Sequence, residues 1–131
     1  MVTLYVTPSC TSCRKARAWF EENEIPYTER NVLSESISIS EIKEILRLTE
    51  NGTEDIISKR SKIFHELNID INQMSMDELF HLVQKHPKLL KRPIIVDEKR
   101  LQIGYNEEEI RSFLPRSVRN FHLHEFQKMI N

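Results

Sequence analysis

Two cysteines are the residues of this chain best suited to chemistry. Cys10 and Cys13 form a Cys-x-x-Cys pair, and the sequence contains no other cysteine. A pair so closely spaced cannot join distant parts of a fold, so in a protein that is not secreted it indicates redox or metal chemistry. Residues at i and i+3 lie on the same side of a helix, and this spacing lets the two sulfurs approach within disulfide geometry.

The residues around the pair favour a reactive thiol. The thiolate is the form of cysteine that attacks oxidants and disulfides. A helix beginning at the pair would supply partial positive charge there, and Arg14, Lys15 and Arg17 follow closely. We therefore expect Cys10 to be the more reactive thiol and mild oxidants to produce an intramolecular disulfide.

Other kinds of site are less well supported. The two cysteines could be inert core residues, or they could bind zinc. Zinc needs about four ligands, and the five histidines, including His122 and His124, show no matching spacing. With only two glycines, Gly52 and Gly104, the chain has no Gly-rich phosphate loop or dinucleotide fingerprint. We expect neither a metal nor a cofactor.

The elements around the pair follow from hydrophobic patterning. Residues 2–6 are β-branched, apolar or aromatic and predict a buried strand. Apolar residues at helical spacing predict a helix over about 13–24, which Pro26 ends. Residues 27–32 predict a second strand, and its charged side chains place it at a sheet edge.

The middle of the chain has helical signals. Ser38 with Glu41, and Ser75 with Glu78, are capping-box pairs that each precede an apolar helical pattern. Asn51 and Gly52 break the first of these helices, as a turn or a C-cap of positive φ. Further helix between the two is indicated by Ile56, Ile57, Phe64 and Leu67.

Strand patterning then returns. Residues 94–96 and 101–104, joined by a turn at 97–100, predict a β-hairpin. Asn106 can cap a following helix that ends at Pro115. The order βαβ, helical insertion, ββα is the thioredoxin arrangement, an α/β fold with a mixed sheet and flanking helices.

The length fits one domain. We predict a thioredoxin-like core over about 1–33 and 91–116. A helical insertion would occupy about 34–90, and a C-terminal helix or tail would occupy 117–131.

Arg92 precedes Pro93 at the start of the predicted hairpin. In a thioredoxin-like fold, a cis-proline at this place packs against the cysteine motif. X-Pro bonds are trans by default. Arg92 is the best candidate for a partner of an anion or thiolate near Cys10, because a guanidinium binds bidentately. Residues 90–92 could instead be ordinary surface basicity.

Charge argues against independent nucleic-acid binding. The net charge is −1, whereas proteins that grip nucleic acid alone usually carry a basic excess. The cluster Lys59, Arg60 and Lys62 would contact only about three phosphates, too few for useful affinity without a partner. No apolar run approaches the roughly 18 residues of a membrane helix. The N-terminus lacks a secretory leader, so we expect a cytoplasmic protein.

The motifs together resemble the Spx regulators of low-GC Gram-positive bacteria, which belong to the arsenate reductase superfamily. The resemblance covers residues 1 to about 120. It rests on Cys10-Thr11-Ser12-Cys13-Arg14-Lys15-Ala16, Asn51-Gly52-Thr53, His86-Pro87-x-Leu89-Leu90-x-Arg92-Pro93-Ile94-Ile95, Asp97-Glu98-Lys99-Arg100-Leu101-Gln102-x-Gly104-Tyr105-Asn106 and Phe113-Leu114-Pro115-Arg116.

The resemblance implies a transcription regulator that binds the C-terminal domain of the RNA polymerase α subunit. Oxidising stress would switch it through a Cys10–Cys13 disulfide. By motif match, Gly52 would lie in the α-subunit interface, and Arg92 would couple the thiols to that interface. Promoter DNA would be bound only jointly with polymerase. An ATP-dependent protease and its adaptor are implied as further partners, although the end Met129-Ile130-Asn131 matches the family's degradation signal only in part.

A thiol enzyme is the alternative. An arsenate reductase or glutaredoxin-like oxidoreductase of the same fold would use Cys10, with Arg60 and Arg92 holding an oxyanion. Cys13 argues against this reading, because it would capture an adduct on Cys10 by forming an internal disulfide. Such behaviour suits a sensor better than a reductase.

Overall fold

The structure is a computed structural model that describes residues 1–115 and residue 129. The predicted tail over 117–131 therefore lies, except for residue 129, outside the described residues. The strands are β1 (Val2–Val6), β2 (Tyr27–Asn31), β3 (Ile94–Val96) and β4 (Leu101–Ile103). The α-helices are α1 (Thr11–Glu22), α2 (Ile39–Arg47), α3 (Thr53–Ile56), α4 (Lys62–Leu67) and α5 (Met76–Lys85). Short 3-10 helices cover Ile71–Gln73, Pro87–Leu89 and Glu109–Phe113.

The four strands form one mixed sheet in the order β2-β1-β3-β4. β1 pairs in parallel with β2 through the α1 crossover, and antiparallel with β3. β3 and β4 form the predicted hairpin. β2 lies at an edge, as its charged residues predict. The mixed sheet with flanking helices confirms the predicted fold class.

The sheet is buried on both faces, and the strand period of two decides which face each side chain occupies. On one face, Leu4 and Ile95 pack with α1 and the 3-10 helix Glu109–Phe113. On the other face, Tyr5 and Ile94 pack with the helices that lie between β2 and β3. The thiol pair at the start of α1 thus belongs to the first layer, and Gly52 belongs to the second.

Local capping signals were accurate. Ser38 and Ser75 each accept a hydrogen bond from the N3 backbone N–H of their helix, α2 and α5 respectively. The N3 glutamate of each helix in turn accepts a hydrogen bond from the backbone N–H of that serine. These reciprocal bonds satisfy donors that would otherwise be unpaired at a helix start. The two longest helices of the segment between β2 and β3 therefore begin where the sequence predicts.

Three details differ from expectation. Ile57 is extended and pairs with Leu90 in an isolated antiparallel bridge, because this pairing draws the chain out of helix after α3. Gly52 occupies the N-cap position of α3 rather than the C-cap of α2. The element after Asn106 is a short 3-10 helix, although the Asn106 side chain accepts from the backbone of Glu108 and Glu109 as a capping residue does.

Candidate redox site

Cys10 is the N-cap residue of α1. Its Sγ accepts a hydrogen bond from the backbone N–H of Cys13, with the two atoms 3.3 Å apart. Serine, threonine and aspartate commonly fill this position because their oxygens satisfy the same donor. Here a sulfur does so, at the end of the helix where the dipole is positive. The side chain of Cys10 is half-buried.

Cys13 lies one turn further into α1 and is fully buried. Burial raises the pKa of its thiol to about 11, and the hydrogen bond with Cys10 acts in the same direction. The backbone N–H of Thr7 and the positive charge of Arg92 lower the pKa, but by less. Both cysteines are free thiols in this structure. Cys13 is therefore protonated near neutral pH and shielded from solvent.

This arrangement assigns different chemistry to the two sulfurs. Cys10 is reachable by a dissolved oxidant, whereas Cys13 is reachable mainly by Cys10. If a peroxide oxidises Cys10 to a sulfenic acid, the neighbouring Cys13 thiol can attack the Cys10 sulfur. The S–O bond then breaks, water carries away the Cys13 proton, and the product is a disulfide within the first turn of α1. The geometry therefore suits a dithiol that closes on itself.

Arg92 lies beside the thiols. It is half-buried and follows the segment that leaves the 3-10 helix Pro87–Leu89, and the Arg92–Pro93 peptide bond is cis. Cys10 and Arg92 both line an open cleft of about 330 Å³. The remaining lining residues are Ser58, Leu90, Lys91, Ile103 and Gly104. The sequence prediction that Arg92 lies near Cys10 agrees with this placement.

Ser58 and Lys91 were not predicted to be near the thiols. They reach the cleft through the Ile57–Leu90 bridge, which is reinforced by two backbone hydrogen bonds. The N–H of Ser58 donates to Leu89 O at 2.7 Å, and the N–H of Lys91 donates to Ile56 O at 2.8 Å. An isolated bridge between distant segments leaves no periodic pattern, so no sequence signal indicates it.

Gly52 does not line the cleft of Cys10 and Arg92. It lies in the turn between α2 and α3 with φ +66° and ψ −134°, a conformation that side chains other than glycine rarely adopt. A Cβ atom built at Gly52 would have no neighbour within 4 Å. The turn is therefore bordered by open space, as a contact surface would be.

The predicted basic cluster is partly neutralised. Lys59 lies 3.2 Å from Glu54, and Lys62 lies 3.8 Å from Glu66. Paired lysines have less charge to offer a phosphate, so this cluster is a weaker nucleic-acid surface than its sequence indicates.

A metal site finds no support in the part of the chain that the structure describes. Among those residues, no group of three or more histidine, cysteine or acidic side chains is placed to hold an ion. His122 and His124 fall outside the described residues. Likewise, none of the described helices combines the length and apolar character needed to cross a membrane.

Sequence comparison places the chain among known proteins. Residues 5–113 match the ArsC family. The global transcriptional regulator Spx 1 of Oceanobacillus iheyensis is 66% identical over 131 residues, and the match covers 100% of both chains. The Spx regulator of Bacillus subtilis is 63% identical with the same full coverage. The chain belongs to the Spx regulators of the ArsC family. The resemblance predicted from the motifs is thereby confirmed.

A solved structure supports the same fold. The structure of a possible arsenate reductase from Streptococcus mutans matches this Spx-family chain with a TM-score of 0.72 and 26% identity. The match covers 84% of this chain and 97% of that one. Because the same fold carries both regulators and reductases, it does not by itself decide between them. The sequence identity to the regulators is far higher.

Proposed function

We propose that this protein is a redox-sensitive transcription regulator that binds the C-terminal domain of the RNA polymerase α subunit. The observation that carries the proposal is the full-length identity of 60–66% to proteins named global transcriptional regulator Spx. The Cys10–Cys13 pair supplies the sensor, and the Gly52 turn supplies the contact surface. A polymerase partner would place the protein in the cytoplasm.

The net charge of −1 supports an indirect mode of action. A protein with so little positive charge gains little affinity from phosphate neutralisation. Promoter DNA would therefore be recognised jointly with polymerase. An ATP-dependent protease with its adaptor would set the amount of the regulator in the cell.

The direct test is binding of the purified α C-terminal domain to reduced and to disulfide-containing protein, measured by calorimetry. We expect saturable one-to-one binding in at least one state. Arsenate turnover is assayed on the same preparation with a thiol reductant. Arsenate turnover without binding of the α domain would contradict the proposed regulator and favour an arsenate reductase.

Gly52→Arg tests the contact surface. A long side chain at the turn would hold the two proteins apart, so we expect binding to be lost. Gly52→Ala is the matched control, because it carries the same strain of positive φ without the bulk. Unchanged affinity of a folded Gly52→Arg protein would place the interface elsewhere.

A further inference from the structure

The Gly52 turn is held by one side chain. Asp55 is a residue of α3, and the residues that its side chain contacts lie in the short segment between α2 and α3. The backbone N–H groups of Glu50 and Asn51 each donate to Asp55 Oδ2 at 3.0 Å. The amide Nδ2 of Asn51 donates to Asp55 Oδ1 at 3.4 Å. Three donors thus converge on one carboxylate.

The neighbouring backbone is bonded differently. The N–H groups of Leu48 and Thr49 still donate back to carbonyls of α2, and α3 begins only at Thr53. Glu50 and Asn51 lie between the backbone hydrogen bonds of α2 and those of α3. The acceptor for their N–H groups is the Asp55 side chain. Without it, two donors would turn to water and the turn would lose its anchor.

Asp55 is itself well anchored. It is half-buried at the third position of α3, and its own N–H donates to Gly52 O at 3.1 Å. The bonds from Asn51 and Glu50 lower the pKa of its carboxyl, so the group is ionised at neutral pH. The carboxylate therefore closes a ring of bonds around Gly52, from residues 50 and 51 to residue 55.

We propose that Asp55 is a positioning residue that holds the Gly52 turn in the conformation recognised by the polymerase α subunit. This inference rests on the proposed function. A turn held before binding loses less conformational freedom on association, which favours affinity. Asp55 also borders two clefts that both include Lys91, the neighbour of Arg92. The same carboxylate thus lies between the contact surface and the segment that leads to the thiols.

Three variants test the role. Asp55→Asn keeps the size but loses the charge and one acceptor oxygen. Asp55→Glu keeps the carboxylate, which is a common helix N3 group that bonds back to the preceding backbone. Glu54→Gln is the matched control, because Glu54 is the adjacent acid, pairs with Lys59 and accepts none of the three hydrogen bonds that hold the turn. Circular dichroism and thermal melting verify that each variant is folded.

Amide hydrogen exchange and calorimetry with the α C-terminal domain are then measured on the full chain. In Asp55→Asn we expect exchange at Glu50 and Asn51 to become about tenfold faster and the dissociation constant to rise about tenfold. Asp55→Glu should restore most of both effects, and Glu54→Gln should leave both unchanged. Recovery of both the affinity and the slow local exchange in Asp55→Glu would show that the carboxylate itself positions the turn.

The failures are distinguishable. Unprotected Glu50 and Asn51 amides in the unchanged protein overturn the proposal whatever the variants do. Faster exchange in Asp55→Asn with unchanged affinity also overturns it, while the proposed function stands. If the unchanged protein does not bind the α domain, the proposed function fails and the role of Asp55 fails with it.

Discussion

The two thiols differ in exposure because they occupy different positions at the start of α1. Cys10 faces the cleft at the N-cap position, and Cys13 is buried one turn along. A thiol with a pKa of about 11 is a poor nucleophile at neutral pH, since very little of it is thiolate. Reactivity toward dissolved reagents should therefore be concentrated on Cys10.

We predict that a small alkylating reagent at neutral pH modifies Cys10 much faster than Cys13. Mass spectrometry after graded exposure gives the rate at each site, with Cys10→Ser and Cys13→Ser as single-thiol controls. Raising the pH toward 11 should accelerate labelling of Cys13 as its thiolate forms. Equal and slow labelling of both sites at neutral pH would contradict the assignment.

At the scale of elements, one charged cluster joins α2 to the sheet. Glu41 on α2 receives two bonds from Arg30 of β2, at 2.7 and 3.0 Å. The phenol of Tyr5, on β1, donates to the same carboxylate at 2.7 Å. These bonds, led by those from Arg30, lower the pKa of Glu41 to about 2. The cluster ties the first helix after β2 to both parallel strands.

The sign of the resulting pH dependence follows from that lowered pKa. Glu41 titrates near 4.5 when unfolded and near 2 when folded, so its contribution is present above pH 4.5 and is lost as the pH falls toward 2. We predict that Glu41→Gln lowers the free energy of unfolding at pH 7 by about 2–3 kcal/mol. Denaturant titrations at several pH values measure it.

Glu44→Gln is the control on the same helix. Glu44 is 71% exposed and pairs with Arg47 one turn away, so its loss should change stability by less than about 0.5 kcal/mol. The Glu41 variant should also lose stability less steeply than the unchanged protein between pH 5 and 2. Parallel curves for the two proteins would show that Glu41 does not carry this dependence.

At the scale of the molecule, a short chain of contacts connects the thiols to the Gly52 turn. The charge of Arg92 lowers the pKa of Cys13, and Arg92 lines the same cleft as Cys10. The residue before it, Lys91, donates to Ile56 at the end of α3. The turn containing Gly52 lies at the other end of that helix. A shift of Arg92 can thus be transmitted to the Gly52 turn through the Ile57–Leu90 bridge and α3.

We predict that Arg92→Ala reduces the difference between oxidised and reduced protein in forming a promoter complex with polymerase, while the disulfide still forms. Couplings of this kind are usually worth about 1–3 kcal/mol, so output should be modulated rather than abolished. Lys88→Ala, which removes an exposed cation outside the cleft, is the control. Transcription in vitro measures this difference. If the Arg92→Ala protein keeps the whole difference between its oxidised and reduced forms, Arg92 does not couple the thiols to the contact surface.

The sequence alone determined the parts of this protein that depend on neighbours in the chain. The thiol pair at a helix start, both capping boxes and the hairpin are encoded within a few residues each, and all appear as predicted. Short-range hydrogen bonding and side-chain periodicity are sufficient to specify such features. The family motifs, also read from the sequence, agree with the full-length relatives.

The contacts between segments that are distant in the sequence were decided by the tertiary structure. The extended conformation of Ile57, its pairing with Leu90 and the presence of Ser58 in the cleft of Cys10 depend on how the helices pack on the sheet. The reach of Asp55 back to Glu50 is local, yet no propensity distinguishes it from an ordinary acid in the first turn of a helix. Contacts between distant segments form because burying apolar surface selects one packing among many, and that selection is a property of the whole core rather than of any single stretch of sequence.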